Sequence, residues 1–263
     1  MKIRLIGCLL FALAIQTRAG VVIEHEIYSV SADASIGSFS IAFKPSGRIF
    51  LNDGKLSATG GIARVADVSD KIFGRGKGIE VSYPDGNRDT IAVYPGVPFV
   101  LCGGFRHNGA AEPVVLNRIP AVSGRIDIGK PFSAIRTLGT GGLREPGKNP
   151  GSYAFLAVVD PVSRSGVVGG WITHDRGSGV VFSPVEGETV RIQARIDYGR
   201  LRIKPGGDAA IETFAIGYFE DARTGLEAYA DTVAKVYNVR LPPHRPGYCT
   251  WYMEKHGGAC NEK

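Results

Sequence analysis

Residues 78–94 read GIEVSYPDGNRDTIAVY, two alternating segments joined by a turn. Apolar and polar residues alternate on both sides of Pro84–Asn87, and a period of two is typical of a strand with one buried face. The Asp-Gly pair supplies the positive φ that a tight hairpin needs. The stretch therefore predicts a β-hairpin.

The same pattern runs from about residue 21 to 219. Tyr153–Val159 and Val167–Thr173 flank a short loop and predict a second hairpin. The clearest alternation, within residues 190–197, places one set inward and the other outward: Ile192, Ala194 and Ile196 against Gln193, Arg195 and Asp197. The 36 glycines suit many turns, and regular turn spacing favours a sandwich or a barrel. We therefore assign residues 20–220 to one β domain.

The period changes in residues 221–238, which predict an amphipathic helix. Asp221 or Thr224 is the expected N-cap. The predicted buried face consists of Leu226, Tyr229, Ala230, Val233, Val236 and Tyr237, and the predicted outer face of Glu227, Asp231 and Lys235. Residues 239–247 follow with three prolines, which prevent helix formation and predict a linker before a new unit at 248–263.

The N-terminal segment, residues 1–19, has the layout of a secretory signal peptide. Lys2 and Arg4 precede an apolar run over residues 5–15, and small residues precede the expected cleavage after Ala19. The run is shorter than the roughly 20 apolar residues that cross a bilayer. We expect a secreted or periplasmic protein with no membrane span after cleavage.

The charge pattern argues against a nucleic-acid partner. The formal net charge is +6, the basic residues of the signal segment contribute half of it, and the rest are scattered among acids. A nucleic-acid site would need a clustered basic patch. Cys102, Cys249 and Cys260 lack metal-ligand spacing, and Cys102 is expected to be a small buried hydrophobe. We predict no metal and no cofactor.

Trp171 follows two glycines, and two interpretations are open for it. A tryptophan beside glycines can expose its ring face to a sugar, which would make it a substrate-binding residue. Large aromatic side chains also serve as core packing.

The segment Gly247-Tyr248-Cys249-Thr250-Trp251-Tyr252 after the proline-rich linker carries the most specific pattern in the chain. It closely resembles the first barrel strand of the family 36 α-galactosidases and their raffinose-synthase-like relatives, where G-[WY]-C-[ST]-W-Y opens the catalytic (β/α)8 barrel. The sandwich, helix and linker that precede it are similar in order to that family.

This resemblance implies a mainly β chain: a large antiparallel β-sandwich (supersandwich), one amphipathic helix, and the first strand of an incomplete (β/α)8 barrel. It implies an N-terminal, non-catalytic sandwich of a secreted enzyme that hydrolyses α-galactosides with retention. The family's two catalytic aspartates lie on later barrel strands, so the sequence as given is expected to be an inactive fragment with no catalytic residue of its own.

The ends of barrel strands face the active site, so Trp251 and Tyr252 are predicted to bind substrate in a complete enzyme. The alternative is a standalone exported carbohydrate-binding β-sandwich, in which Trp171 would stack on sugar. Both hypotheses predict a carbohydrate partner, and neither fixes the oligomeric state.

Overall fold

The computed structural model describes residues 20–148, 151–243 and 246–247. Over these residues the chain forms nineteen strands, one short 3-10 helix (Phe132–Ala134) and one α-helix. The elements in chain order are β1 (Val21–Glu24), β2 (Tyr28–Asp33), β3 (Ser38–Phe43), β4 (Arg48–Lys55), β5 (Ile62–Asp70), β6 (Gly74–Ser82), β7 (Arg88–Val93), β8 (Val100–His107), β9 (Val114–Ile126), β10 (Arg136–Gly139), β11 (Gly142–Arg144), β12 (Ser152–Tyr153), β13 (Phe155–Val159), β14 (Gly166–Trp171), β15 (Ser178–Phe182), β16 (Val185–Glu186), β17 (Thr189–Ile203), β18 (Asp208–Ala210), β19 (Phe214–Phe219) and α1 (Ala222–Tyr237).

Two large antiparallel sheets contain all of these strands. Sheet A has the order β1-β2-β3-β4-β9-β17-β15-β12, with β16 paired to β17. Sheet B has the order β11-β10-β13-β14-β19-β8-β7-β6-β5, with β18 paired to β8. The predicted mainly β sandwich is confirmed.

Both predicted hairpins are present. Strands β6 and β7 pair from Lys77↔Val93 to Ser82↔Arg88, and Gly86 at φ +87° donates its N–H to the Tyr83 carbonyl across the turn. Strands β13 and β14 pair across the second loop. Turn chemistry and alternation were sufficient to predict both hairpins because their contacts are local.

The inner strands of sheet B, such as β14 and β19, are buried on both faces, whereas sheet A is buried on one. The main core lies between the sheets and includes Phe50, Ile192 and Phe214, each 0% exposed. A second apolar layer covers the other face of sheet B and includes Val168 and Tyr229. Ile192, Ala194 and Ile196 point inward, as the alternation predicted. Because α1 packs on the outer face of sheet B, it leaves the outer face of sheet A uncovered.

The helix begins and ends close to the predicted limits, but its buried face is displaced from the predicted one. Asp221 caps it by accepting the Arg223 N–H, and Asn238 ends it in the left-handed conformation. The buried positions are Ala222, Gly225, Tyr229 and Thr232.

The predicted inward positions Ala230 and Tyr237 are exposed, which corrects the sequence prediction. Hydropathy alone did not predict the buried face of α1 correctly, for two reasons. A side chain at Gly225 would overlap the ring of Phe219, so glycine permits close approach there. The Thr232 hydroxyl is satisfied internally because it donates to the Ala228 carbonyl at 2.7 Å.

Between β12 and β13 the chain passes from sheet A to sheet B at one left-handed residue, Ala154, with φ +63°. This crossing divides the predicted strand Tyr153–Val159 between the two sheets. Its N–H donates to the Gly179 carbonyl of sheet A, and its carbonyl accepts the Trp171 N–H of sheet B. The crossing leaves Tyr153 at the edge of sheet A with 68% of its surface exposed.

Several predictions concern residues that the structure does not describe. The predicted signal segment and the predicted barrel strand, residues 1–19 and 248–263, lie outside the described residues. Within the predicted linker, residues 241–243 form no regular secondary structure. No helix in the described part of the chain is long and apolar enough to span a membrane.

Candidate functional site

Trp171 lies in the core at the end of β14. Its side chain is 0% exposed and packs edge-on against Phe214, with ring centroids 5.3 Å apart. A side chain at Gly179 on β15 would overlap the indole. A ring with no exposed surface has no face to offer a sugar, so of the two interpretations the structure favours core packing. Trp251 and Tyr252 lie outside the described residues, and their substrate role stays a prediction.

Polar side chains collect on the outer face of sheet A. In β2 and β3, buried apolar residues alternate with Ser29, Ser31, Ser38 and Ser40. The two strands pair directly, and Ser31 lies opposite Ser40. The hydroxyl oxygens of this pair are 2.8 Å apart and hydrogen-bonded. The alternation thus places a row of hydroxyl groups on the uncovered face.

Three of these serines, Ser31, Ser38 and Ser40, line a cleft of about 340 Å³, within the range of small-molecule sites. It is formed by strands β1 to β4 and is lined by Gly20, Val22, Ser31, Ala32, Asp33, Ser38, Phe39, Ser40, Asn52 and Asp53. We call it the serine cleft. Hydroxyl, amide and carboxylate groups at close spacing can donate to and accept from the hydroxyl groups of a polar ligand.

Two carboxylates border the serine cleft. The Ser35 hydroxyl and N–H both hydrogen-bond Asp33 and hold the pKa of this carboxyl below its usual range. Asp53 has a left-handed backbone, φ +50°, and its carboxylate is 3.0 Å from Nε of Arg125. At neutral pH Asp33 is therefore a charged acceptor beside the hydroxyl groups of the cleft.

A buried charged cluster near one end of the sandwich has a structural explanation. Asp89 accepts from the Ser57 N–H at 2.7 Å, the Tyr83 hydroxyl at 2.8 Å and Arg106 at 3.2 Å. Asp89 is 6% and Arg106 8% exposed. Burial, and secondarily the Asp89 charge, raise the pKa of Tyr83. The polar side chains of the cluster are hydrogen-bonded to one another. These bonds connect the segment after β4 to sheet B.

The segment between β14 and β15 is held by α1. The Tyr237 hydroxyl accepts the His174 N–H at 2.5 Å and donates to Asp175 at 3.2 Å. Burial raises the pKa of Tyr237. His174 and Asp175 are thus positioned by their contacts with Tyr237 of the helix.

Cys102 is a buried thiol without a reactive environment. Cys102 is 5% exposed, and burial raises the pKa of its thiol to about 12, which confirms it as a buried small hydrophobe. In residues 20–148, 151–243 and 246–247 no three His, Cys, Asp or Glu side chains are grouped to hold a metal ion.

The serine cleft was not predicted from the sequence, although the sequence contains a signal for it. The segments Tyr28–Asp33 and Ser38–Phe43 alternate serine with apolar residues. Small hydroxyl residues on a strand face leave room above the sheet, whereas long charged side chains fill it. Only the register between the strands brings the hydroxyl groups of the two segments together.

Comparisons with known proteins concern the fold. No protein-family model matches the sequence, and no curated protein matches it. Among solved structures, a GH36 α-galactosidase from Geobacillus stearothermophilus in complex with raffinose has a TM-score of 0.54 at 14% identity, over 85% of this chain and 43% of that one. The α-galactosidase of Lactobacillus brevis has a TM-score of 0.53 at 9% identity, over 83% and 42%.

A galactose mutarotase related enzyme from Lactobacillus acidophilus has a TM-score of 0.50 at 10% identity, over 76% of this chain and 97% of that one. The shared feature is the sandwich. At these identities the likenesses show the fold alone. The chain spans about two fifths of the length of the two α-galactosidases and nearly all of the mutarotase-related enzyme.

Proposed function

We propose that this chain is the N-terminal, non-catalytic β-sandwich of a secreted α-galactosidase-like glycoside hydrolase, and that it contacts carbohydrate through the serine cleft. The observation that carries the proposal is the extent of the fold likeness: 85% of this chain superposes on the GH36 enzyme that was solved with raffinose. The Gly247–Tyr252 segment, which resembles that family's first barrel strand, supports the same assignment.

In this proposal the sandwich binds and the barrel performs the chemistry. Retaining glycoside hydrolysis needs two carboxyl groups about 5–5.5 Å apart across the scissile bond. The carboxylates of the serine cleft do not supply them in our assignment, because Asp33 is held by Ser35 and Asp53 by Arg125. Trp251 and Tyr252 would contact substrate in the barrel.

Titration calorimetry combined with an activity assay tests the proposal. Purified chain is expected to bind raffinose saturably and to release no p-nitrophenol from p-nitrophenyl α-galactoside above a blank. Release of p-nitrophenol would show that the chain carries its own catalytic groups and would overturn the non-catalytic assignment.

A standalone carbohydrate-binding sandwich is the second candidate. It is favoured by the mutarotase-related enzyme, in which this sandwich accounts for 97% of the matched chain. The two candidates differ in what the coding DNA contains beyond codon 263. The first predicts a strand–helix pattern with two aspartates at strand ends in one reading frame, and the second predicts none.

A further inference from the structure

The outer face of sheet A carries a second feature beside the serine cleft, which we call the arginine face. It is formed by outward residues of the adjacent strands β9 and β17. Arg125 lies directly opposite Arg191 in the register, and Arg118 opposite Asp197. Arg195 is the outward residue four positions after Arg191. Like charges directly opposite each other destabilise a sheet. Asp53, 3.0 Å from Arg125, offsets one charge of the Arg125–Arg191 pair, so the charge of Arg191 is the one that needs an explanation.

Nearby carboxylates balance these arginines unevenly. Asp197 is 2.8 Å from Arg118, but Glu186 is 3.6 Å from Arg191 and its own side chain is 65% exposed. Arg191 is itself largely buried, with 14% of its side chain exposed. A weakly held, solvated carboxylate offsets little of the charge of a buried guanidinium.

Arg195 has no carboxylate within ion-pair distance in the part of the chain that the structure describes. Its guanidinium lies 4.7 Å from the ring centroid of Phe182 on β15. Stacking on an aromatic ring holds the planar group and leaves its N–H donors available.

The groups between the arginines are neutral and polar. Gln193 lies between Arg191 and Arg195 on β17, and it pairs with Ser123 on one side and Phe182 on the other. The two arginines are separated by about 13 Å along an extended strand. Tyr153 adds an aromatic ring, 68% exposed, on the next strand beyond Phe182.

We propose that the arginine face binds an acidic saccharide, one that carries carboxylate or sulfate groups. Guanidinium groups form paired hydrogen bonds with such anions, while Gln193 and Ser123 suit sugar hydroxyl groups. Arg118, Arg125 and Arg191 each have a carboxylate within ion-pair distance, so the face does not supply the many free cations on which nucleic-acid affinity depends. This inference rests on the proposed function, because it takes carbohydrate as the ligand class.

Affinity electrophoresis of the purified chain tests this site with three polymers. Polygalacturonate supplies carboxylates, λ-carrageenan supplies sulfates on galactose units, and a neutral galactan serves as reference. At least one acidic polymer is expected to retard the chain. Any retardation by the neutral galactan should not depend on the arginines of this face. The polymer that retards it identifies the anion.

Variants locate the binding site. Arg195→Gln is expected to weaken retardation by an acidic polymer at least fivefold, and Arg191→Gln/Arg195→Gln to weaken it further. Arg75→Gln, which removes the same charge from β6 of sheet B, should change it less than twofold. If the double variant does not fold, as judged by circular dichroism, the single variant decides the result.

Three results would overturn the inference. The first is no retardation by either acidic polymer, and the second is retardation that Arg195→Gln leaves unchanged. The third is retardation by duplex DNA that is as strong as retardation by the acidic polymers and depends equally on the arginines. The last result would show a general polyanion surface. Raffinose binding is measured separately, so failure at the arginine face is distinguishable from failure of the proposed function.

Discussion

The indole of Trp171 occupies space that neighbouring glycines leave open. Gly179 lies beside it on β15, and Gly170 precedes it beneath the ring of Tyr229. The Tyr229 hydroxyl donates to the Trp171 carbonyl at 2.6 Å. The sequence showed the glycines before Trp171 but could not choose between an exposed and a buried ring, because Gly179 meets the indole only through strand pairing and packing.

Gly179→Ala is expected to destabilise the protein by about 1–3 kcal/mol, the usual cost of forcing extra volume into a packed core. The added methyl group would overlap the indole of Trp171. Urea denaturation followed by tryptophan fluorescence measures the change. Gly103→Ala is the matched control, since its Cβ would lie 3.5 Å from the Thr213 hydroxyl. Equal stability of the two variants would contradict the packing described for Trp171.

Strand alternation and the helical period were readable from the sequence because each depends on local geometry. Residues 190–197 face as predicted, and Glu227, Asp231 and Lys235 of α1 are exposed as predicted. The errors at Ala230 and Tyr237 came from packing. The helix approaches Phe219 of sheet B at Gly225, and Thr232 is buried as well, although hydropathy marks neither residue as buried.

Asp221→Ala is expected to lower the melting temperature at pH 7 because it removes the N-cap of α1. The Arg223 side chain and N–H lower the pKa of Asp221 to about 2. A lowered native pKa stabilises the fold above the ordinary value, near 4, and this contribution is lost as the pH falls toward 2.

The wild-type and variant melting temperatures should therefore converge between pH 4 and 2. Asp231→Ala, on the exposed side of the same helix, is the control and should leave the melting temperature at pH 7 nearly unchanged. A difference between wild type and Asp221→Ala that persists undiminished at pH 2 would contradict this role for the carboxylate.

Polar cross-links and apolar packing together hold the two sheets of the whole molecule. The Asp89 cluster joins Ser57, after the last residue of β4 in sheet A, to strands of sheet B. The sequence predicted a sandwich or barrel, but it could not give the strand order. Ser57 and Arg106 are 49 residues apart in the sequence, and the order of the strands in the two sheets brings them into contact. The serine cleft and the arginine face depend on that order in the same way.

Asp89→Ala is expected to destabilise the fold by about 3–5 kcal/mol, because it leaves Arg106 buried without its partner. Urea denaturation measures the difference. Asp67→Ala removes a carboxylate that is 2.6 Å from Lys77 but 83% exposed, and it should have little effect. A small effect of Asp89→Ala, similar to that of Asp67→Ala, would show that the cluster does not join the sheets energetically.

In the proposed function, carbohydrate binds to the outer face of sheet A in the serine cleft. Raffinose titration into two variants tests it most directly. Ser40→Leu fills the cleft from a position that points away from the core, and Ala42→Leu adds a similar side chain on the same strand face outside the cleft. We predict at least tenfold weaker raffinose binding for Ser40→Leu and less than a twofold change for Ala42→Leu. Equal binding by both variants, or no saturable binding by the unmodified chain, would contradict the claim.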